Sequence, residues 1–256
     1  MSNKSQTAAN LWFAPLKPSA QGDVRLFCFP YAGGSSNIYR DWPKYLPPNV
    51  EVWVAKLPGR DNRLREAPHT DLATLADACA QAIVPYLDKP FVFFGHSMGA
   101  MLSYEVSRRL RSSLGVEPSH LIVSARRAPQ LPDTAHPTHN LPEAEFIEEV
   151  RRLNGTPREV LEHDELMQMV LPLLRADFSV CETYTHTSEP MLECPLTVLG
   201  GIQDVDISRE QLEAWRELTR GPFSVRILPG DHFFIHSAQP LVLRIVTQEL
   251  LKVSKA

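Results

Sequence analysis

The chain has 256 residues, 43% of them hydrophobic, and a formal net charge of −4 from 26 basic and 30 acidic side chains. That length suits one large α/β domain, and basic residues scattered rather than blocked exclude the electrostatic footprint of a nucleic-acid binder. No apolar run is long enough to span a membrane and the N-terminus, Ser2-Asn3-Lys4-Ser5, is polar. The expectation is a cytoplasmic protein with no membrane partner. The four cysteines, Cys28, Cys79, Cys181 and Cys194, form no C-x-x-C pair, so neither a zinc site nor a disulfide framework is indicated.

In chain order, residues 1–23 read as a partly ordered lead-in, with Leu11-Trp12-Phe13 its one apolar run. Val24 to Phe29 is a strand candidate ending at Pro30, and Val50 to Leu57 a second ending at Pro58. Helical spacing follows from Leu72 to Leu87. The run Phe91-Val92-Phe93-Phe94 suits a strand buried on both faces. After it Met98, Met101, Leu102, Val106 and Leu110 recur at steps of three and four, with Arg108, Arg109 and Arg111 expected in the helix's last turn. His120 to Ser124 is the next strand.

Beyond Ala128, prolines at 129, 132, 137 and 142 open a segment that stays helical to about residue 183. Strands resume at Leu196 to Leu199 and Phe223 to Leu228, with helices near Ser208 to Leu218 and Pro240 to Val253. Strands alternating with helices predict an α/β fold around a mostly parallel sheet, its core formed by residues 24–128 and 191–256. Residues 129–190 form a helical insertion. Phe146, Ile147, Val150 and Leu153 make one apolar face there. Leu166, Met167, Met169, Val170, Leu171, Leu173 and Leu174 make the second helix apolar around much of its girth, with Pro172 placed to bend it. Such a helix must bury more than one side. It either packs on the core or serves as a lid whose Met-rich inner face covers a substrate channel.

The most informative motif is Gly95-His96-Ser97-Met98-Gly99, between a strand and a helix. This is the pattern of a nucleophile elbow: the two glycines let strand and helix backbones approach closely while Ser97 occupies a strained turn with its Oγ exposed. In the α/β-hydrolase architecture the acid and then the histidine follow, each on a loop after a later strand. Leu196 to Leu199 runs through a glycine turn into Asp204, with Asp206 as the alternative acid. Phe223 to Leu228 runs into Pro229-Gly230-Asp231-His232, which makes His232 the base and His236 the alternative. Asp231 reads as a turn residue holding loop backbone. The oxyanion hole needs two backbone N–H groups. Met98 supplies one by position, and the loop Pro30-Tyr31-Ala32-Gly33-Gly34-Ser35 supplies the other from Ala32, with Tyr31 the alternative. Cys194 is a remote candidate nucleophile. His136 and His139 lack the helix and cysteines of a metal site, and no phosphate or dinucleotide glycine loop occurs.

Five segments together resemble the type II thioesterases, stand-alone enzymes associated with polyketide and nonribosomal peptide synthetases. They are Phe29-Pro30-Tyr31-Ala32-Gly33-Gly34-Ser35, Leu57-Pro58-Gly59-Arg60, Phe94 to Gly99, Leu173-Leu174-Arg175-Ala176-Asp177-Phe178 and Pro229 to Phe233. The resemblance, over residues 24 to 250, implies hydrolysis of acyl groups from the phosphopantetheine arm of acyl or peptidyl carrier proteins. It implies Ser97, Asp204 and His232 as triad, Ala32 and Met98 as oxyanion donors, a mobile lid and no cofactor. The chain departs where many members carry proline after the acid: it has Val205 and then Asp206. Acidic carrier proteins would favour a basic cluster such as Arg60, Arg63 and Arg65. A monomer is expected. A small-molecule esterase or acyltransferase with the same triad, and a non-catalytic carrier-binding module, are the alternatives.

Overall fold

The computed structural model describes residues 11–16, 22–132 and 136–254. Its framework is a seven-stranded sheet of β1 (Phe13–Pro15), β2 (Val24–Phe29), β3 (Val50–Ala55), β4 (Phe91–His96), β5 (His120–Ser124), β6 (Leu196–Gly201) and β7 (Phe223–Leu228). The spatial order is β1-β3-β2-β4-β5-β6-β7, with β1 antiparallel to β3 and the other pairs parallel. Between the strands run α1 (Leu72–Ile83), α2 (Met98–Leu114), α3 (Glu143–Leu153), α4 (Arg158–Leu161), α5 (Asp164–Glu182) and α6 (Arg209–Glu213). The short α7 (Phe234–Ser237) and the long α8 (Gln239–Val253) close the chain.

Period-two alternation decides which side chain faces which layer. Phe27, Phe29, Phe91 and Phe93 enter the core shared with α1 and α2, whereas Leu26, Cys28, Val92 and Phe94 enter the core shared with Tyr39, Trp42, α7 and α8. Because both faces are covered, Leu26 to Phe29 of β2 and Phe91 to Phe94 of β4 read as continuous apolar runs rather than alternating ones. A third, smaller cluster joins Phe146 and Val150 of α3 to Met167, Leu171 and Leu174 of α5.

Within the lead-in, expected to be partly ordered, the sequence reading named no strand; β1 nevertheless adds antiparallel to β3, with Leu16 N–H donating to Val52 O at 2.8 Å. The run Gly200-Gly201 is the end of β6 rather than a turn. Arg108, expected in the last turn of α2, lies before that turn, which holds Arg111 instead. It is buried at 2% exposure, its Nη2 donating to Thr187 O at 2.7 Å and pairing with Glu189, with Glu105 on its Nη1. The helix runs one turn further than expected, to Leu114, and caps on Gly115 in the left-handed conformation. The apolar girth of α5 is only partly covered, since Leu166 and Met169 are 42% and 75% exposed. Its N-terminal half packs on α3, while Val180 enters the core of the main domain.

His120, on β5, yields a pH prediction. Its Nε2 lies 2.9 Å from Thr197 Oγ1, and burial, opposed by nearby Glu249, pushes its pKa down from 6.5 to about 4. The folded state therefore holds His120 neutral where the unfolded chain would protonate it, so its contribution is complete above pH 6.5 and lost as pH falls toward about 4. At about 1.4 kcal/mol per unit this is worth about 3 kcal/mol. Urea unfolding between pH 4 and 7 will show His120→Gln losing less stability on acidification than wild type, and parallel curves would contradict the assignment.

Candidate active site

Ser97 stands between β4 and α2 with φ 54° and ψ −114°. A non-glycine residue with positive φ stores strain of about 1–3 kcal/mol and persists only where its surroundings enforce it. They do so here through close contact. A Cβ on Gly95 would stand 2.0 Å from Gly99 O, and one on Gly99 would stand 2.1 Å from Phe29 O. Ser97 N–H donates to Ser124 O at 2.8 Å, fixing the turn against β5.

The strand ends bring the expected acid and base together. His232 Nε2 lies 3.0 Å from Ser97 Oγ, and its Nδ1–H donates to Asp204 Oδ2 at 2.8 Å. A carboxylate only accepts, so the proton sits on Nδ1 and leaves Nε2 free to accept from the serine hydroxyl. The Asp204 carboxylate is 1% exposed, and its Oδ1 accepts Asp206 N–H at 3.0 Å. Asp206 itself faces outward and accepts from Arg152 Nη1 at 3.0 Å. The alternative base, His236, is turned to the Tyr31 hydroxyl, 2.9 Å from its Nε2. Asp231 holds its own loop through Phe233 N–H at 2.9 Å.

Met98 is the first residue of α2, so its N–H has no acceptor within the helix. Ala32 lines the same cleft as Ser97 and His232, a space of about 530 Å³. The cleft's far side comes from the helical segment, including Val150, Leu153, Leu174 and Phe178. Charged walls also contribute, in Arg126, Glu149, Arg152 and Glu182. Cys194 lies elsewhere, buried, its thiol pushed up to about 12 by burial and Glu117. His139 is committed to Glu182, its Nδ1 2.6 Å from a carboxylate oxygen.

Three further side chains, none of them expected at the site from the sequence, shape it. His96 is fully buried, its Nε2–H donating to His232 O at 2.9 Å while its Nδ1 meets Ser124 Oγ at 2.9 Å. Burial holds its pKa well below 6.5, so the ring is a neutral strut between the histidine loop and β5. The other two, Arg60 and Asp177, form a buried pair joined by bonds of 2.8 and 2.7 Å. Their signal was present: Asp177 shares a helix face with Leu174 and Val180, and a charge on an apolar face implies a buried partner. The pairing also corrects the expected basic docking cluster. Arg60 and Arg63 are only 4% and 5% exposed, with Arg63 held by Glu66 and stacked 4.1 Å over Trp12. Only Arg65 of the three faces solvent.

A parallel sheet with an elbow serine after β4, and acid and histidine after β6 and β7, defines an α/β-hydrolase fold with a serine-hydrolase type of site. The chain belongs to the thioesterase domain family, whose model matches residues 24–250. It is 46% identical over 250 residues to the linear gramicidin dehydrogenase LgrE of Brevibacillus parabrevis, covering 96% of this chain and 95% of that one. It is 43% identical to the gramicidin S biosynthesis protein GrsT of Aneurinibacillus migulanus, covering 94% of each. Among solved structures, the type II thioesterase BorB from the borrelidin biosynthetic cluster superposes with a TM-score of 0.87 at 34% identity. That match covers 95% of this chain and 99% of the other. No described helix is long and apolar enough to cross a membrane.

Proposed function

We propose that this protein hydrolyses acyl thioesters on the phosphopantetheine arm of acyl or peptidyl carrier proteins, removing aberrant or stalled groups from a polyketide or nonribosomal peptide synthetase. The carrying observation is the relay Asp204, His232 and Ser97 at a cleft large enough for an acyl-pantetheine end. Family membership and the likeness to GrsT, a gramicidin S biosynthesis protein, and to BorB, a type II thioesterase, support the substrate class. The word dehydrogenase belongs to the name of LgrE, while the relay here suits acyl transfer to oxygen.

In this reading His232 Nε2 takes the Ser97 proton as Oγ attacks the thioester carbon, and the Ala32 and Met98 N–H groups receive the oxyanion. Collapse expels the pantetheine sulfur, which takes the proton from His232. Water, deprotonated by the same nitrogen, then attacks the acyl-serine, and collapse breaks the bond to Ser97 Oγ, which takes that proton as the carboxylic acid is released. Asp204 holds the ring in the required tautomer. The chemistry consumes only water, so no cofactor takes part. Residues 129–190 act as a lid over the cleft, and the enzyme works as a cytoplasmic monomer.

The test compares kcat/KM for an acetyl-carrier protein, acetyl-coenzyme A and a simple acetyl ester. The carrier-bound thioester should be favoured over the ester by at least about tenfold. A preference for the ester would indicate an esterase. A protein that neither turns over substrate nor reacts at Ser97 with a fluorophosphonate would be a binding module.

A further inference from the structure

The loop carrying Ala32 is held from outside by the insertion helix. Gly34 N–H donates to Tyr31 O at 2.9 Å. In a trans peptide the carbonyl and the following N–H point in opposite directions, so this bond turns the Ala32 N–H away from the Gly34 side. Gly33 N–H donates to Asp177 Oδ2 at 2.7 Å, and Gly34 O accepts from Arg60 Nη1 at 3.1 Å. Four successive peptide planes, from Tyr31 to Ser35, thereby have their orientation fixed. There is no slack beneath them, since a Cβ on Gly33 would stand 2.5 Å from a Leu174 methyl.

The two side chains that complete this frame are the buried pair. Arg60 and Asp177 are 4% and 1% exposed and joined by two hydrogen bonds. Replacing such a pair by apolar residues of similar volume is often neutral or stabilising, so stability alone gives no reason for it. Geometry does. We propose that Arg60 and Asp177 are positioning residues for the reaction, holding the oxyanion loop so that the Ala32 N–H meets the developing charge. The inference rests on the reading of Ala32 as an oxyanion donor. Because an oxyanion exists only along the reaction path, a misaimed donor costs turnover while leaving substrate binding alone.

The decisive variant is the double replacement Arg60→Met with Asp177→Leu, which removes both charges and leaves Gly33 N–H and Gly34 O without their partners. Its kcat on acetyl-carrier protein should fall about 10²-fold, the usual cost of losing one oxyanion donor, with KM within about twofold of wild type. Affinity for a pantetheinyl trifluoromethyl ketone, which adds to the serine as a tetrahedral adduct, should fall by a similar factor. Arg60→Lys retains the charge and one bond, and should stay within about tenfold of wild type in kcat.

A folded double variant with wild-type kcat, or a loss confined to KM, overturns the proposal. If the double variant does not fold, Asp177→Asn decides on the same readouts. It preserves shape while setting an amide against the guanidinium, and unchanged kcat there overturns the proposal equally. A wild-type protein that hydrolyses no carrier-bound thioester overturns the functional reading first, a result distinct from either.

Discussion

Ser97→Ala will lower kcat on a carrier-bound thioester by at least about 10⁴-fold while the melting temperature shifts by only a few degrees. The contrast follows from what the substitution removes. Ser97 Oγ, 3.0 Å from His232 Nε2, is the atom that forms the covalent bond in the proposed mechanism, and alanine offers none in its place. The rest of the elbow is indifferent to the hydroxyl. The turn is fixed by Ser97 N–H on Ser124 O and by the Gly95 and Gly99 contacts, all of which alanine retains. Alanine also carries the same Cβ, so the cost of φ 54° is unchanged. Single-turnover measurement with radiolabelled acetyl-carrier protein would show no acyl-enzyme. A rate within tenfold of wild type would remove Ser97 from the mechanism.

Asp204→Asn is expected to cost about 10⁴-fold in kcat, the loss typical of a triad left with the wrong histidine tautomer. Both carboxylate oxygens are committed, Oδ2 to His232 Nδ1–H and Oδ1 to Asp206 N–H. An amide has only one acceptor oxygen. If that oxygen stays with Asp206 N–H, its NH₂ faces Nδ1 and favours the tautomer whose proton occupies Nε2, where the serine proton should go. Asp206→Asn should cost less than about tenfold, because Asp206 contributes a backbone N–H that the substitution preserves. Its side chain faces Arg152 at the cleft edge. Measuring both variants on one substrate separates the two acids, and a collapse in Asp206→Asn alone would exchange their roles.

The elbow and the order of the acid and histidine loops were legible because each is written locally, as an apolar run followed by a reactive residue within ten positions. What could not be read depends on partners far along the chain. Arg60 looks like a surface cation until Asp177, 117 residues later, is brought beside it. Arg108 hides in the same way, because Thr187 and Glu189 close over it. β1 is three residues long and ends in proline, and becomes a strand only by pairing with β3. The exposed Met169 shows the converse limit, since an apolar side chain in a helix does not state what covers it.

The double duty of α5 bears on how this enzyme can be recombined. One helix carries apolar residues that line the cleft, such as Leu174, and the carboxylate that grips Gly33 N–H, only one turn apart. A chimera that imports a foreign helical segment to change acyl selectivity therefore also imports a new support for the loop that holds Gly33. The transferable module is not the contiguous stretch 129–190 but that stretch together with residue 60 and the loop at 30–35. Crossovers that divide those three pieces will yield proteins that bind the new acyl group and turn it over slowly.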